Sequence, residues 1–432
     1  MIENLSLICC CLNISAIIIA YYKRMIVYAI GMFFFLMLVS GQSVQLALDL
    51  SEESSVIYLN HYINSSGFAS AEIYLLFTSI LLLILPLVSP SLRKLKFINV
   101  PGYDLKFKFW ILISSFIGFI TFLLIFVLVG WSFFISNSRP GVVSGSSILL
   151  VLLSVGLYPL INQIVCNIKL EKKNILIFIA VMVVTLLFSR IHVIVYGLIC
   201  FVAWFYASGL SRKRVAVKEL YMLFLFAIPS TLIFAGIGTI RDTLNYVEGD
   251  WRRVLDYAIE NSDKGLLTLR YNYIVSVEGM SGLAGAFTYM EQTGARGWPS
   301  DFGLSLLVRG LFQWIPGILK DYTNPVVDFF SAGYWYPFSI VSSGLENSFV
   351  SFGWLGIFVY PVFFFVISNL LTVTYVRART INKKFFALIL IGMLVFYVRG
   401  SWFVWIGFAL SYLLVLLLFD KCFYKKSCEK MS

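Results

Sequence analysis

The sequence predicts an all-α polytopic membrane protein, and three observations carry that prediction. Of 432 residues, 60% are hydrophobic and 13% are charged, about half the charged share of a soluble protein. The apolar residues come in blocks of roughly 15 to 25, the length that crosses a bilayer core. The basic residues gather in alternate loops between those blocks. Together these exclude a soluble globular protein, a disordered chain and a disulfide-stapled secreted domain. A porin-like barrel is excluded too, because its strands would alternate apolar and polar over about 10 residues.

Eleven apolar blocks read as spans, in order: Leu5–Tyr22, Met25–Leu46, Ala71–Val88, Phe109–Ile135, Ser147–Ile168, Asn174–Phe188, Ile191–Ser208, Leu220–Ile240, Phe349–Tyr375, Phe385–Val398 and Trp402–Phe419. Two of these divisions split longer runs. The run 174–208 is interrupted by Ser189, Arg190 and His192, and the run 385–419 by Arg399, Gly400 and Ser401. As single helices either run would be roughly 50 Å long, too long for a core of about 30 Å. Each is expected to form a hairpin with an arginine at its tip. Spans one to eight then occupy residues 1–240, a large loop 241–345, spans nine to eleven 346–419, and a basic tail 420–432.

Charge sets the expected sidedness. Lys23 and Arg24 form the first basic group, and Arg93, Lys94, Lys96, Lys106 and Lys108 the second. Lys169, Lys172 and Lys173 follow, then Arg212, Lys213, Arg214 and Lys218, then Arg377, Arg379, Lys383 and Lys384. Lys421, Lys425, Lys426 and Lys430 close the chain. These are 22 of the 33 basic residues. With eleven spans all six groups fall on one side, the cytoplasm by the positive-inside rule. The N-terminus is expected outside and the C-terminus inside. The net charge of +11 is therefore topological, and no nucleic-acid partner is expected. No cleavable signal peptide is expected, since a basic n-region and an A-x-A-like site are missing at the start. Cys9, Cys10, Cys11, Cys166 and Cys200 fall within spans, and Cys422 and Cys428 in the tail, so no external disulfide is expected.

The loop from Arg241 to Leu345 is 105 residues long, with 8 basic and 11 acidic residues. Loops of that length usually carry function. Trp251–Ile259 has helical spacing. Leu304–Ile315 is apolar apart from Arg309 and is expected along or dipping into the membrane surface. Arg139, Arg190 and Arg399 also face outward, and Arg241 opens the long loop at the membrane face. Positive charge is disfavoured there. These arginines either snorkel to headgroups and pair with loop acids, or form a site for an anionic group, which a guanidinium grips through its fork of donors. The outward aromatics Trp251, Trp298, Trp314, Tyr334, Trp335 and Tyr336 suit an interfacial belt and sugar stacking alike.

No Walker loop, dinucleotide fingerprint, H-E-x-x-H or zinc-like cluster is present, and no cofactor or metal is expected. The outward residues suit transfer from a lipid diphosphate. Negative charge builds on the leaving oxygens, and preorganised arginines would stabilise it. The acceptor hydroxyl needs at most a positioned base. Glu346, at the outer entry to the ninth span, is one candidate, and His192 beside the hairpin tip is another. Each also has a plain structural role open to it: Glu346 as a helix-start acid favoured by the dipole, His192 as a hydrogen-bonded interface residue.

In this pattern the chain resembles the O-antigen or capsule repeat-unit polymerases of bacteria, the Wzy type. Ser189-Arg190 is similar to the short S-R turn between two of their spans. Gly344-Leu345-Glu346-Asn347-Ser348-Phe349, followed by Phe352-Gly353-Trp354-Leu355-Gly356, is similar to their acid-then-F-G-x-x-G entry into the span after the large loop. Ile315-Pro316, Lys320 and Pro325 resemble a proline-punctuated stretch late in that loop, although Gly317 stands where an arginine is usual. The resemblance implies a GT-C-like glycosyltransferase of the bacterial inner membrane with one large periplasmic loop. Its substrate would be undecaprenyl-diphosphate-linked oligosaccharide repeat units, polymerised at the periplasmic face with release of undecaprenyl diphosphate. Arg190, Arg241 and Arg309 would hold diphosphate, Arg399 would support them, and Glu346 or His192 would orient the acceptor. Arg139 and Trp298 complete the expected substrate-binding set. Membrane lipid and a chain-length regulator are the other partners implied. A flippase for the same lipid-linked sugars is the main alternative, and an O-antigen ligase is close in architecture.

Overall fold

A computed structural model describes residues 2–52, 55–58, 61–98, 157–167, 169–188, 190–208, 279–293 and 343–399, with isolated helical positions at 116, 120, 253, 256, 405, 409, 410 and 413. The described helices are α1 (Ile2–Tyr22), α2 (Ile26–Phe35), α3 (Gly41–Glu52), α4 (Ser65–Val88), α5 (Tyr158–Val165), α6 (Lys172–Phe188), α7 (Arg190–Ala207), α8 (Gly279–Thr293), α9 (Gly344–Phe352), α10 (Gly356–Arg377) and α11 (Ile381–Arg399). A wide π-turn, Leu36–Ser40, joins α2 to α3 without a break. The chain is a helical membrane protein. Among the described residues, five helical stretches are long and apolar enough to cross a membrane: Asn4–Tyr22, Ile26–Glu52, Ser65–Val88, Gly344–Arg377 and Ile381–Arg399.

Surface chemistry agrees. Leu7, Ile14 and Ile18 are exposed along one face of α1, and Phe358, Val362, Val366 and Leu370 along one face of α10. A soluble protein does not leave such stripes to water, whereas lipid solvates them.

The expected spans one, two, three, six, seven, nine and ten coincide with described helices, with shifted ends. The third begins at Ser65 rather than Ala71, and the ninth at Gly344 rather than Phe349. Asn64 explains the first shift. Its side chain accepts from the Gly67 N–H (2.6 Å) and caps α4, so six further residues, five of them polar or small, join the helix. The run 174–208 is two helices, α6 and α7, packed on each other. Leu220–Ile240, nearly all of Phe109–Ile135 and of Trp402–Phe419, and half of Ser147–Ile168 lie outside the described residues. Among the described residues the regular structure is helical apart from one short hairpin between α3 and α4. Strands β1 (Ser55–Tyr58) and β2 (His61–Asn64) pair antiparallel, Ser55 opposite Asn64 and Tyr58 opposite His61, which gives backbone groups of this link partners in each other.

Two compact units emerge. The first comprises Met1–Lys96, Val277–Val376 and Met393–Leu413. In it, α1 packs on α2, α3 and α4. Lys23 fastens one end: its Nζ donates to the Leu87 and Ser89 carbonyls (2.6 and 2.7 Å), and its own carbonyl accepts from the Leu92 N–H (2.9 Å). The basic groups at 23–24 and 93–96 therefore share one end of this bundle. Arg24 turns the chain there with φ 63 and is buried over the Tyr21 ring.

The second unit comprises Phe97–Ser276, Arg377–Gly392 and Leu414–Ser432. Here α5 packs on α6 and α7. Tyr158 Oη donates to Asn382 Oδ1 (2.7 Å), and its ring meets Phe385 edge-on. Lys384 is fully buried, its ammonium 3.7 Å from the centre of the Phe97 ring. This lysine counts as a topological charge in the sequence, and the structure makes it an interior cation held by a π face.

Candidate functional site

The site grows from the segment 343–356. Ser343 caps α9 in a capping box: its Oγ accepts from the Glu346 N–H (3.1 Å), and Glu346 Oε2 accepts from the Ser343 N–H (3.2 Å). Asn347 Nδ2 donates to the Ser343 carbonyl (2.8 Å). Glu346 is fully buried. The helix then breaks. Gly353 has φ 55 and ψ −134, a conformation that only glycine adopts without strain. A tight turn, Gly353–Leu355, leads to α10. A Cβ on Gly356 would strike the Tyr74 hydroxyl and the Ser348 carbonyl. Both glycines of the F-G-x-x-G segment thus have a steric reason, one torsional and one of close approach.

Helix α8 comes from the segment expected as the large loop. It is buried along most of its length and packs on α3, α4, β2 and α9. Gln42 Oε1 accepts from the N–H groups of Met280 and Ser281, so a side chain of α3 caps the start of α8. Ser343 Oγ donates to the Gly279 carbonyl (2.8 Å), tying the same turn to α9. A Cβ on Gly279 would strike the Leu38 carbonyl within the π-turn, and a Cβ on Gly282 would strike the Glu346 carboxylate. Beside the carboxylate, Phe287 stacks on Phe349 (4.1 Å between centroids), and Tyr74 and Trp354 close an aromatic cluster around that pair.

A polar seam runs on into the bundle. Ser43 Oγ donates to the Glu72 carboxyl, which Ser6 also hydrogen-bonds. Two helical turns along, Asn13 Nδ2 donates to Ser40 Oγ (2.7 Å) and Ser79 Oγ (3.1 Å). Ser6 and Asn13 are seven apart on α1, and Glu72 and Ser79 seven apart on α4, so each pair lies on one face. All of these residues are buried.

Of the residues expected at the site, Glu346 is placed as described. Arg399 ends α11 and is half-buried. A Cβ on Gly344 would strike the Tyr397 carbonyl, so the end of α11 that carries Arg399 abuts the start of the helix that carries Glu346. Arg190 and His192 lie in the first turn of α7. Arg139, Arg241, Arg309 and Trp298 lie outside the described residues. Sequence reasoning passed over Glu72, Gln42 and Gly282. The signal for Glu72 was available: it is the only charged residue of α4, and an ionisable group inside a span is a functional candidate by default. No protein-family model, curated protein or solved structure matches the chain.

Proposed function

We propose that this protein polymerises lipid-linked oligosaccharide repeat units at the outer face of the bacterial inner membrane, as a Wzy-type glycosyltransferase. The observation that carries the reading is the buried Glu346 carboxylate, at the start of the helix after the long loop, covered by a helix drawn from that loop. In the proposed reaction the acceptor sugar hydroxyl attacks the anomeric carbon of the growing chain. The bond from that carbon to the diphosphate oxygen breaks, and undecaprenyl diphosphate leaves with the electron pair. The hydroxyl proton passes to Glu346, with His192 as the other candidate base. Arg190, Arg241 and Arg309 would neutralise the leaving diphosphate, Arg399 and Arg139 would support them, and Trp298 would stack on sugar. A chain-length regulator is the partner this reading calls for.

One observation favours a second reading. A flippase moves a polar cargo through the bundle and needs polar groups inside it, and the seam of Ser6, Asn13, Ser43 and Glu72 is such a set. Deleting the gene in its own host and resolving the surface polysaccharide on a gel separates the two. A ladder collapsed to core plus one repeat unit, restored by the intact gene, is the polymerase result. Loss of every repeat-bearing band, with lipid-linked single units accumulating inside, overturns it in favour of the flippase.

A further inference from the structure

Glu346 is held on two sides by different segments. Its own helix supplies the Ser343 N–H, which fixes one carboxylate oxygen. The first turn of α8 supplies the other wall, where Gly282 has no side chain and the carboxylate occupies the space that a Cβ would fill. The location of that wall is set from elsewhere. Gln42 on α3 receives two of the free N–H groups in the first turn of α8, those of Met280 and Ser281, and Ser343 bonds the Gly279 carbonyl, so the turn is registered from two directions. Gln42 in turn adjoins Ser43, the donor to Glu72.

From this geometry we propose that Gly282 and Gln42 are positioning residues for Glu346: the loop helix is a clamp that sets where the carboxylate meets its substrate. The proposal rests on the polymerase reading and deepens it. Neither residue would touch sugar or diphosphate. Gly282 fixes the depth of the carboxylate, and Gln42 fixes the height of α8 against α9. A misplacement of about 1 Å at a catalytic group costs around a hundredfold in rate, which is the scale on which a single added methyl would act.

The test is a double-mutant cycle between Gly282→Ala and Glu346→Asp, with Glu346→Gln and Gln42→Leu alongside. Full-length protein is reconstituted in liposomes with lipid-linked repeat units extracted from the host lacking the gene. Gly282→Ala is expected to lower kcat about a hundredfold with KM within threefold of the original. Asp is one methylene shorter and withdraws from the added methyl, so Gly282→Ala in the Glu346→Asp background should cost less than threefold. Gln42→Leu should lower kcat at least tenfold, again with KM held. Where Gly282→Ala reduces the amount of folded protein, recovery of that amount by Glu346→Asp reads the same contact. Effects that multiply independently, a Gly282→Ala enzyme of full activity, or an abundance loss that Glu346→Asp leaves in place would each overturn the clamp while Glu346→Gln still stops polymerisation. A Glu346→Gln protein that is made normally and polymerises at full rate would remove the Glu346 role and the clamp with it.

Discussion

Among the described residues, the two units differ in the charge they bury. The first encloses two carboxylates, Glu72 and Glu346, each met by hydroxyl or backbone donors, as well as Arg24 over the Tyr21 ring. In the second the buried charge is an ammonium, Lys384, met by the face of an aromatic ring. A hydrogen-bonded carboxylate has directional needs, so every donor around it must stay in place. A cation over a ring is held by a broad electrostatic surface and tolerates some drift. The first arrangement suits a group whose position matters, and the second suits an anchor.

Breaking the contrast at its strongest point gives the largest effect. Glu346→Gln should lower the polymerisation rate by at least about a hundredfold, the lower range for loss of a general base, with the protein made at normal levels. Glu72→Ala should come next. It strands the Ser43 and Ser6 hydroxyls in a buried layer, at about 1–3 kcal/mol, seen as a lower thermal midpoint in detergent. Lys384→Met keeps the stem that fills the interior and loses the cation–π contact, so it should cost no more than about 2 kcal/mol by the same measurement. Lys173→Ala should be the smallest. Its ion pair with Glu171 (2.6 Å) is solvent-exposed, and its loss should stay within about 0.5 kcal/mol. If Glu72→Ala were as silent as Lys173→Ala, the seam would be filler and the distinction between the units would disappear. If Lys384→Met matched Glu346→Gln in lost activity, the second unit would hold more than an anchor.

The helices were legible where the physics is one-dimensional. Helices α1, α4, α6, α7, α10 and α11 follow from apolar runs alone, and the division of the run 174–208 into two helices follows from bilayer thickness. The hairpin Ser55–Asn64 was not legible, because its strands are four residues each and carry too little alternation to register. Nor was α8. Glycine, serine and alanine make up most of its first half, a composition that reads as loop in water but allows close helix packing among other helices. Its helicity is a tertiary fact, created by Gln42 and by the space beside Glu346. Glu346 itself was legible as either a helix-start acid or a base. The capping box fills the first of these roles and leaves the second to experiment. Glu72 stood out in an otherwise uncharged helix, yet only its contacts with Ser43 and Ser6 relate it to the rest of the seam.

The π-turn at Leu36–Ser40 has a consequence for length variation. Such a turn stores one surplus residue in an otherwise regular helix. Deleting a single residue inside it should convert the stretch to ordinary α-helix, with Gln42 and Ser43 still facing the seam. Deleting one between Gln45 and Glu52 instead rotates everything beyond the cut by about 100°, and the link to the hairpin leaves its bearing. The chain therefore has slack at one place on this long helix and none a few residues later.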